Sequence, residues 1–129
     1  MLELENNNNS VINVNADQER ILQVLTNLIV NSIKYGSNNG YTKVIVEDYN
    51  TEKVIIRVID NGEGIEQEHL PRLFERFYRI DKNRSRKIGG TGLGLAIVKH
   101  IIEAHNQTIN VRSTFDVGST FSFILKKAK

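Results

Sequence analysis

Apolar residues along the chain switch between helical spacing and strand-like alternation, and the switches divide the chain into elements. The polar tract Asn6-Asn7-Asn8-Asn9 reads as an exposed loop or ragged end, so residues 1–10 are expected to be flexible. Val11-Ile12-Asn13-Val14 then predicts a short strand. Asp17 carries a helix N-cap side chain, although Arg20 does not complete a capping box. From there Ile21, Leu22, Leu25, Leu28, Ile29 and Ile33 recur at helical spacing as far as Tyr35. Gly36-Ser37 ends that helix and Asn38-Asn39-Gly40 turns the chain.

Two strand-like runs follow, Lys43-Val44-Ile45-Val46-Glu47 and Val54-Ile55-Ile56-Arg57-Val58-Ile59, joined through Asn50-Thr51-Glu52 as a hairpin. A short helix is expected from Leu70 to Phe77, with Pro71 in its first turn. Asp81 to Thr91 has no apolar period and reads as a loop. A second long helix runs from about Leu93 to His105. Thr108 to Ser113 and Ser119 to Leu125 are two closing strands around a turn at Asp116-Val117-Gly118. The order predicts a single domain over residues 1–129, an α/β two-layer sandwich in which helices pack on one face of a mixed β-sheet.

Composition narrows the possibilities without choosing among them. The 129 residues are 40% hydrophobic and 25% charged, as in an ordinary globular domain, and can bury one substantial core. A formal charge of +2 is too small for a dedicated nucleic-acid binder, and no nucleic-acid partner is expected. Seven basic residues do cluster between Arg72 and Lys87, but Glu75 and Asp81 interrupt them and no aromatic ladder accompanies them. The absence of cysteine excludes disulfides, and three scattered histidines argue against zinc. No apolar run approaches the ~20 residues that span a bilayer, and Met1 opens no signal-peptide pattern, so the chain as given is expected to be soluble.

Chemistry enters with Gly89-Gly90-Thr91-Gly92-Leu93-Gly94-Leu95, which feeds directly into the apolar-periodic run Ala96 to Ile102. Glycines let backbone N–H groups approach an anion, and a helix N-terminus adds unpaired donors and the positive end of a dipole. The basic stretch Arg79, Lys82, Arg84, Arg86 and Lys87 lies just before it, suggesting a nucleotide site with a cationic lid over residues 80–92. Neither the Gly-x4-Gly-Lys-Ser/Thr nor the Gly-x-Gly-x-x-Gly spacing is present, and a flexible glycine-rich loop is the alternative.

Two further patterns stand out. Asn27, Asn31 and Lys34 line one stripe of the first helix, with Tyr35 beside it and the aliphatic residues on the opposite arc. Asparagine is a mediocre helix former. The stripe is either a solvated polar face or a set of amide oxygens turned to a hydrated magnesium ion, with Lys34 facing phosphate. Asp60-Asn61-Gly62-Glu63-Gly64-Ile65 closes the second strand of the hairpin. It is either a strand-ending turn or a carboxylate poised to accept from an exocyclic amine, with Gly62 and Gly64 leaving room for a flat ring.

Taken in order, Asn27-Leu28-Ile29-Val30-Asn31-Ser32-Ile33-Lys34-Tyr35, Asp60-x-Gly62-x-Gly64, Phe74-x-x-Phe77-Tyr78-Arg79 and Gly90-Thr91-Gly92-Leu93-Gly94-Leu95 resemble the catalytic ATP-binding domain of bacterial sensor histidine kinases. That domain has the Bergerat-type fold shared with DNA gyrase, heat-shock chaperones and mismatch-repair ATPases. Ile101-Ile102-Glu103-Ala104-His105 and Gly118-Ser119-Thr120-Phe121-Ser122-Phe123 are similar to the phosphate-starvation type of sensor.

The resemblance implies ATP and Mg2+ as ligands. It makes Asn31 the main magnesium ligand, assisted by Asn27, places Lys34 on phosphate and Tyr35 beside the adenine, and gives Asp60 the adenine amine. Gly62, Gly64 and Ile65 would line the base. Arg79 and Arg84 would reach the phosphates, and Gly90, Thr91, Gly92, Leu93 and Gly94 would form the cradle. Phe74 and Phe77 would hinge and pack the lid, or simply belong to the core.

The resemblance also bears on the reaction. Hydrolytic members of the fold group place a water-activating glutamate one helical turn before the magnesium asparagine, and here that position is Asn27. This favours phosphoryl transfer to a histidine over a gyrase-like ATPase and over the serine-kinase anti-sigma factors of the same fold, while the intact motifs argue against a regulatory nucleotide-binding module. His69, His100 and His105 lack the context of an acceptor histidine. The implied partners are therefore a histidine-containing dimerisation domain of the same parent kinase and a response regulator receiver domain. The implied setting is a cytoplasmic domain, monomeric alone, of a homodimeric parent anchored in the bacterial inner membrane. Two positions depart from the family pattern. Val30 stands where an Asp commonly precedes the magnesium asparagine, and Asn106-Gln107 stands where Gly-Gly is frequent, a place where Asn also tolerates a left-handed C-cap.

Overall fold

A computed structural model describes residues 2–6, 14–34, 40–78 and 93–128. The elements run β1 (Leu2–Asn6), α1 (Gln18–Lys34), β2 (Thr42–Asp48), β3 (Lys53–Asp60), a 3-10 helix (Gln67–Arg72), α2 (Gly94–Ala104), β4 (Ile109–Thr114) and β5 (Gly118–Lys126). The five strands form one sheet in the order β1-β2-β3-β5-β4. Among the described residues only β1 runs parallel to its neighbour, so the sheet is mixed, and α1 and α2 pack against one of its faces.

Alternation explains which face is covered. In β3, Val54, Ile56 and Val58 point inward, and in β5, Phe121, Phe123 and Leu125 do the same. They meet Val24 and Leu28 of α1 and Val98, Ile101 and Ile102 of α2 in a single core. Asp17 caps α1 as expected, its Oδ1 accepting the Arg20 N–H at 3.2 Å. Asn106 follows α2 at φ 60°, the left-handed conformation anticipated for it.

The fold departs from the sequence reading in three places. Residues 2–6 form an edge strand, because Leu2-Glu3-Leu4-Glu5 alternates with period two and pairs in register from Leu2↔Thr42 to Asn6↔Val46. Of the strand expected at Val11–Val14, Val14 bridges Lys127 and residues 11–13 lie outside the described residues. The helix expected over 70–77 is instead a 3-10 helix that begins and ends earlier. Pro71 inside it has no N–H to continue an α-helical ladder, and the chain turns through 73–77, reaching φ 65° at Phe77. Finally, the sheet takes the arc of α1 that holds Val24, Leu28 and Ser32, which leaves Leu22 and Ile33 63% and 61% exposed on the opposite side.

Candidate functional site

The inward-facing phase of the elements is apolar along most of its length and becomes polar at one end. Thr42 precedes inward Val44, Asp60 follows inward Val58, Ser119 precedes Phe121, and Ser113 follows Val111. The registers Thr42↔Asp60, Asp60↔Ser119 and Ser113↔Ser119 set these four residues in one row across β2, β3, β5 and β4. Ser32 is the polar member of the buried arc of α1 and sits over the row. Ser32, Thr42 and Ser119 are only 4%, 3% and 6% exposed. Buried hydroxyls need partners, and these have them. Ser32 and Thr42 lie 2.7 Å apart, and Ser32 also hydrogen-bonds the Asp60 carboxylate. Since Ser32 has one proton to give to Asp60, the Thr42 hydroxyl donates to Ser32.

Asp60 is the focus of this row. Burial pushes its carboxyl above the ordinary range, opposed by hydrogen bonds from the Gly62 N–H, the Ser32 hydroxyl and the Ser119 backbone. The Gly62 N–H reaches Oδ1 at 2.9 Å. Just above the ordinary carboxylate range, folded Asp60 therefore holds a proton that the unfolded chain releases. Its proton-linked contribution to stability is fully present in acid and is lost as pH rises through the raised value. Replacing Asp60 with alanine should flatten that stretch of the stability–pH profile measured by urea unfolding. An unchanged slope would show that the carboxyl is not shifted.

The other described candidates lie on α1, at the start of α2 and in the loop after β3. Asn27, Asn31 and Lys34 share one half-buried arc of α1, as their spacing implied. The Asn27 amide donates to the Gly94 carbonyl oxygen at 3.3 Å, tying the stripe to the start of α2. A Cβ built on Gly94 meets nothing within 4 Å, so among the described residues no packing contact demands a glycine there. Gly62 is buried beneath the Asp60 carboxylate. Gly64 stands at φ +71°, and the half-buried Ile65 packs against the core with its N–H on the Ser113 hydroxyl. Leu93 lines a groove of about 910 Å³ between the helices with Arg20, Arg76, Ala96 and His100, and Asn31 and Asp60 are not among the residues lining it. Tyr35, Arg79, Arg84, Gly90, Thr91 and Gly92, and with them the proposed lid over 80–92, lie outside the described residues.

Of the two aromatic residues with alternative readings, Phe74 packs edge-on against Phe121 with ring centroids 6.2 Å apart, and Phe77 is exposed. Two of the three histidines are engaged structurally. His105 bridges elements, its Nδ1 on the Ile101 carbonyl at 2.8 Å and its Nε2 accepting the Asp17 N–H at 3.1 Å. With Nε2 accepting, the Nδ1–H is the donor to the Ile101 carbonyl. His69 contacts the Tyr78 hydroxyl through Nδ1. Sequence reasoning passed over Ser32, Thr42, Ser113 and Ser119 as site residues. The available signal was a hydroxyl in the inward phase of an otherwise apolar element.

The model of the family described as histidine kinase-, DNA gyrase B- and HSP90-like ATPase matches residues 16–129. The chain belongs to this family. Its relatives place it with the sensor histidine kinases, as a catalytic ATP-binding domain. Sensor histidine kinase WalK of Bacillus subtilis is 42% identical over 113 residues, covering 87% of this chain and 18% of WalK. Phosphate regulon sensor protein PhoR of Haemophilus influenzae is 41% identical over 111 residues, covering 86% of this chain and 26% of PhoR. This chain therefore spans about a quarter or less of these relatives. The solved catalytic domain of histidine kinase ThkA superposes with a TM-score of 0.81 at 35% identity, over 98% of this chain and 78% of that one. ThkA has also been solved in complex with response regulator protein TrrA, where the likeness is a TM-score of 0.77 at 31% identity, over 98% of this chain and 34% of that one. The α/β sandwich of this domain is thus the histidine kinase catalytic fold, and ATP is the ligand its family binds. Among the described residues no helix is long and apolar enough to cross a membrane.

Proposed function

We propose that this domain binds magnesium-ATP at the polar end of its core and donates the γ-phosphoryl group to a histidine on a separate dimerisation domain of the same parent kinase. A response regulator receiver domain would then take the phosphoryl group. The observation that carries this reading is Asp60, half-buried and hydrogen-bonded by Ser32 of α1, the same helix whose asparagine stripe is tied through Asn27 to Gly94 at the start of α2. The ThkA–TrrA complex supports the response-regulator partner.

The donor set suits the proposed ligand. Asp60 is the acceptor for the adenine amine, and its surrounding hydrogen bonds fix its orientation before any base arrives. Asn31, with Asn27, offers amide oxygens, which a hard cation accepts alongside phosphate oxygens and water. The Asn27 amide nitrogen is already committed to Gly94, which orients its oxygen away from that bond. When bound, magnesium supplies charge neutralisation at the phosphates, and Lys34 adds a point charge at the end of the same stripe. Phosphoryl transfer asks the protein mainly for positioning and electrostatics, and a neutral asparagine at position 27 serves positioning without activating water. Tyr35, Arg79, Arg84, Gly90, Thr91 and Gly92 complete the proposed site by sequence alone. We place the parent protein in the bacterial inner membrane as a homodimer, with this domain on the cytoplasmic side and monomeric on its own.

The test is transfer of label from γ-labelled ATP to a separately supplied histidine dimerisation domain of a related kinase. Acid-labile, base-stable label on that domain is expected, with none on His69, His100 or His105 of this chain. Release of free phosphate without transfer would identify a hydrolytic ATPase instead. Binding of ATP with neither outcome would identify a regulatory nucleotide-binding module.

A further inference from the structure

The loop that carries Asp60 is held against the turn between β4 and β5 at several points, and Ser113 is the centre of that contact. Its hydroxyl accepts the Ile65 N–H at 2.7 Å, lies 2.7 Å from the Ser119 hydroxyl and donates to the Gly118 carbonyl at 3.1 Å. A serine hydroxyl has one proton and two acceptor positions, so the Ser119 hydroxyl donates to it and its capacity is filled. The Ser113 carbonyl oxygen takes the Gln67 side-chain amide at 3.1 Å, and the Asp116 N–H donates to the Glu63 carbonyl at 2.6 Å. There is no slack between the two segments. A Cβ on Gly64 would come within 2.0 Å of the Thr114 carbonyl oxygen, and one on Gly118 within 2.1 Å of the Asp60 carbonyl oxygen.

We propose that Ser113 is a positioning residue for the base-binding carboxylate. By joining Ile65, Gly118 and Ser119 through one hydroxyl, it sets the position of the 60–65 loop, and hence of Asp60, relative to β5. The residue touches no part of the proposed ligand and acts through Asp60. Asp60 pairs with Ser119 in the sheet, and Ser119 contributes a backbone hydrogen bond to its carboxylate, so a shift at Ser119 is passed on directly. Removing the hydroxyl leaves the Ile65 N–H without its partner and frees the Ser119 side chain to turn, which loosens the loop on both sides of the base. Because the carboxylate discriminates between adenine and guanine by accepting from an amine, a loosened Asp60 should lose discrimination as well as affinity. The inference rests on Asp60 as the adenine-recognising group.

Calorimetry of the intact chain with a non-hydrolysable ATP analogue and with its guanine counterpart, each with magnesium, gives both quantities. Ser113→Ala should weaken ATP-analogue binding by about tenfold, the effect of one lost buried hydrogen bond, and should lower the adenine-to-guanine preference several-fold. Ser113→Thr, which keeps the hydroxyl, should restore the preference. Val111→Ala, on the same strand, should lower the melting temperature and leave the preference unchanged, separating positioning from mere destabilisation. A wild-type preference in a folded Ser113→Ala would overturn the proposal. So would fast hydrogen exchange of the Ile65 amide in the wild-type chain, a measurement that stands even if Ser113→Ala does not fold. A wild-type chain that binds both nucleotides equally would overturn the adenine reading of Asp60, and this proposal with it.

Discussion

Replacing Asn31 with alanine is expected to weaken magnesium-ATP binding by at least the 10–100-fold that even an outer partner of a bound metal carries. The fold should move the other way. Asn31 sits in the last turn of α1, half-buried, and alanine is the better helix former there by up to about 0.7 kcal/mol. The variant should therefore melt at the wild-type temperature or slightly above it while calorimetry shows binding nearly abolished. Opposite signs are what distinguish a ligand-holding residue from a structural one. Wild-type affinity in this variant would remove Asn31 from the metal site.

Gly64→Ala is expected to have the largest effect on the fold. The left-handed backbone costs an alanine about 1–2 kcal/mol. Its methyl group would also be driven into the Thr114 carbonyl, and backbone cannot step aside as a flexible side chain can. The loop would have to part from the β4–β5 turn, breaking the Ile65–Ser113 and Asp116–Glu63 hydrogen bonds. Together these losses should reach roughly 3–5 kcal/mol. For a domain of this size that is a fall in melting temperature of about 10 °C or more. The same substitution at Gly94 meets no neighbour and should leave the fold intact, so the two variants form a matched pair. A Gly64→Ala protein that melts with the wild type would mean the loop and hairpin are not in contact.

Much of this architecture was legible because alternation and helical period report burial directly. The runs at 43–47, 54–59 and 119–125 lie within β2, β3 and β5, and Asp60 and the asparagine stripe fall where their spacing placed them. What was not legible had specific causes. Leu2-Glu3-Leu4-Glu5 is a short alternating run before a polar tract, and only pairing with β2 makes it a strand. Leu22 and Ile33 satisfy a helical period as well as Leu28 does, and a one-dimensional pattern cannot say which arc a sheet will cover. Ser32, Thr42, Ser113 and Ser119 are single hydroxyls with no motif of their own. Their meaning appears only when four strands and a helix bring them to one end of the core.

The strand order has a consequence for how such a domain comes into being. β5 is the last strand in chain order, yet it lies between β3 and β4 and provides Phe121, Phe123 and Leu125 to the core. A nascent chain that has emerged as far as Asp116 already holds the β2–β3 hairpin, both long helices and β4. It still lacks the backbone that flanks Asp60 and the floor beneath the helices. Pairings between such distant segments are made late and slowly. Residues 118–126 thus supply, last in chain order, the strand that joins β3 to β4 and completes the sheet beside Asp60. A chain that ended before them would carry nearly every signature residue and lack the strand that backs Asp60.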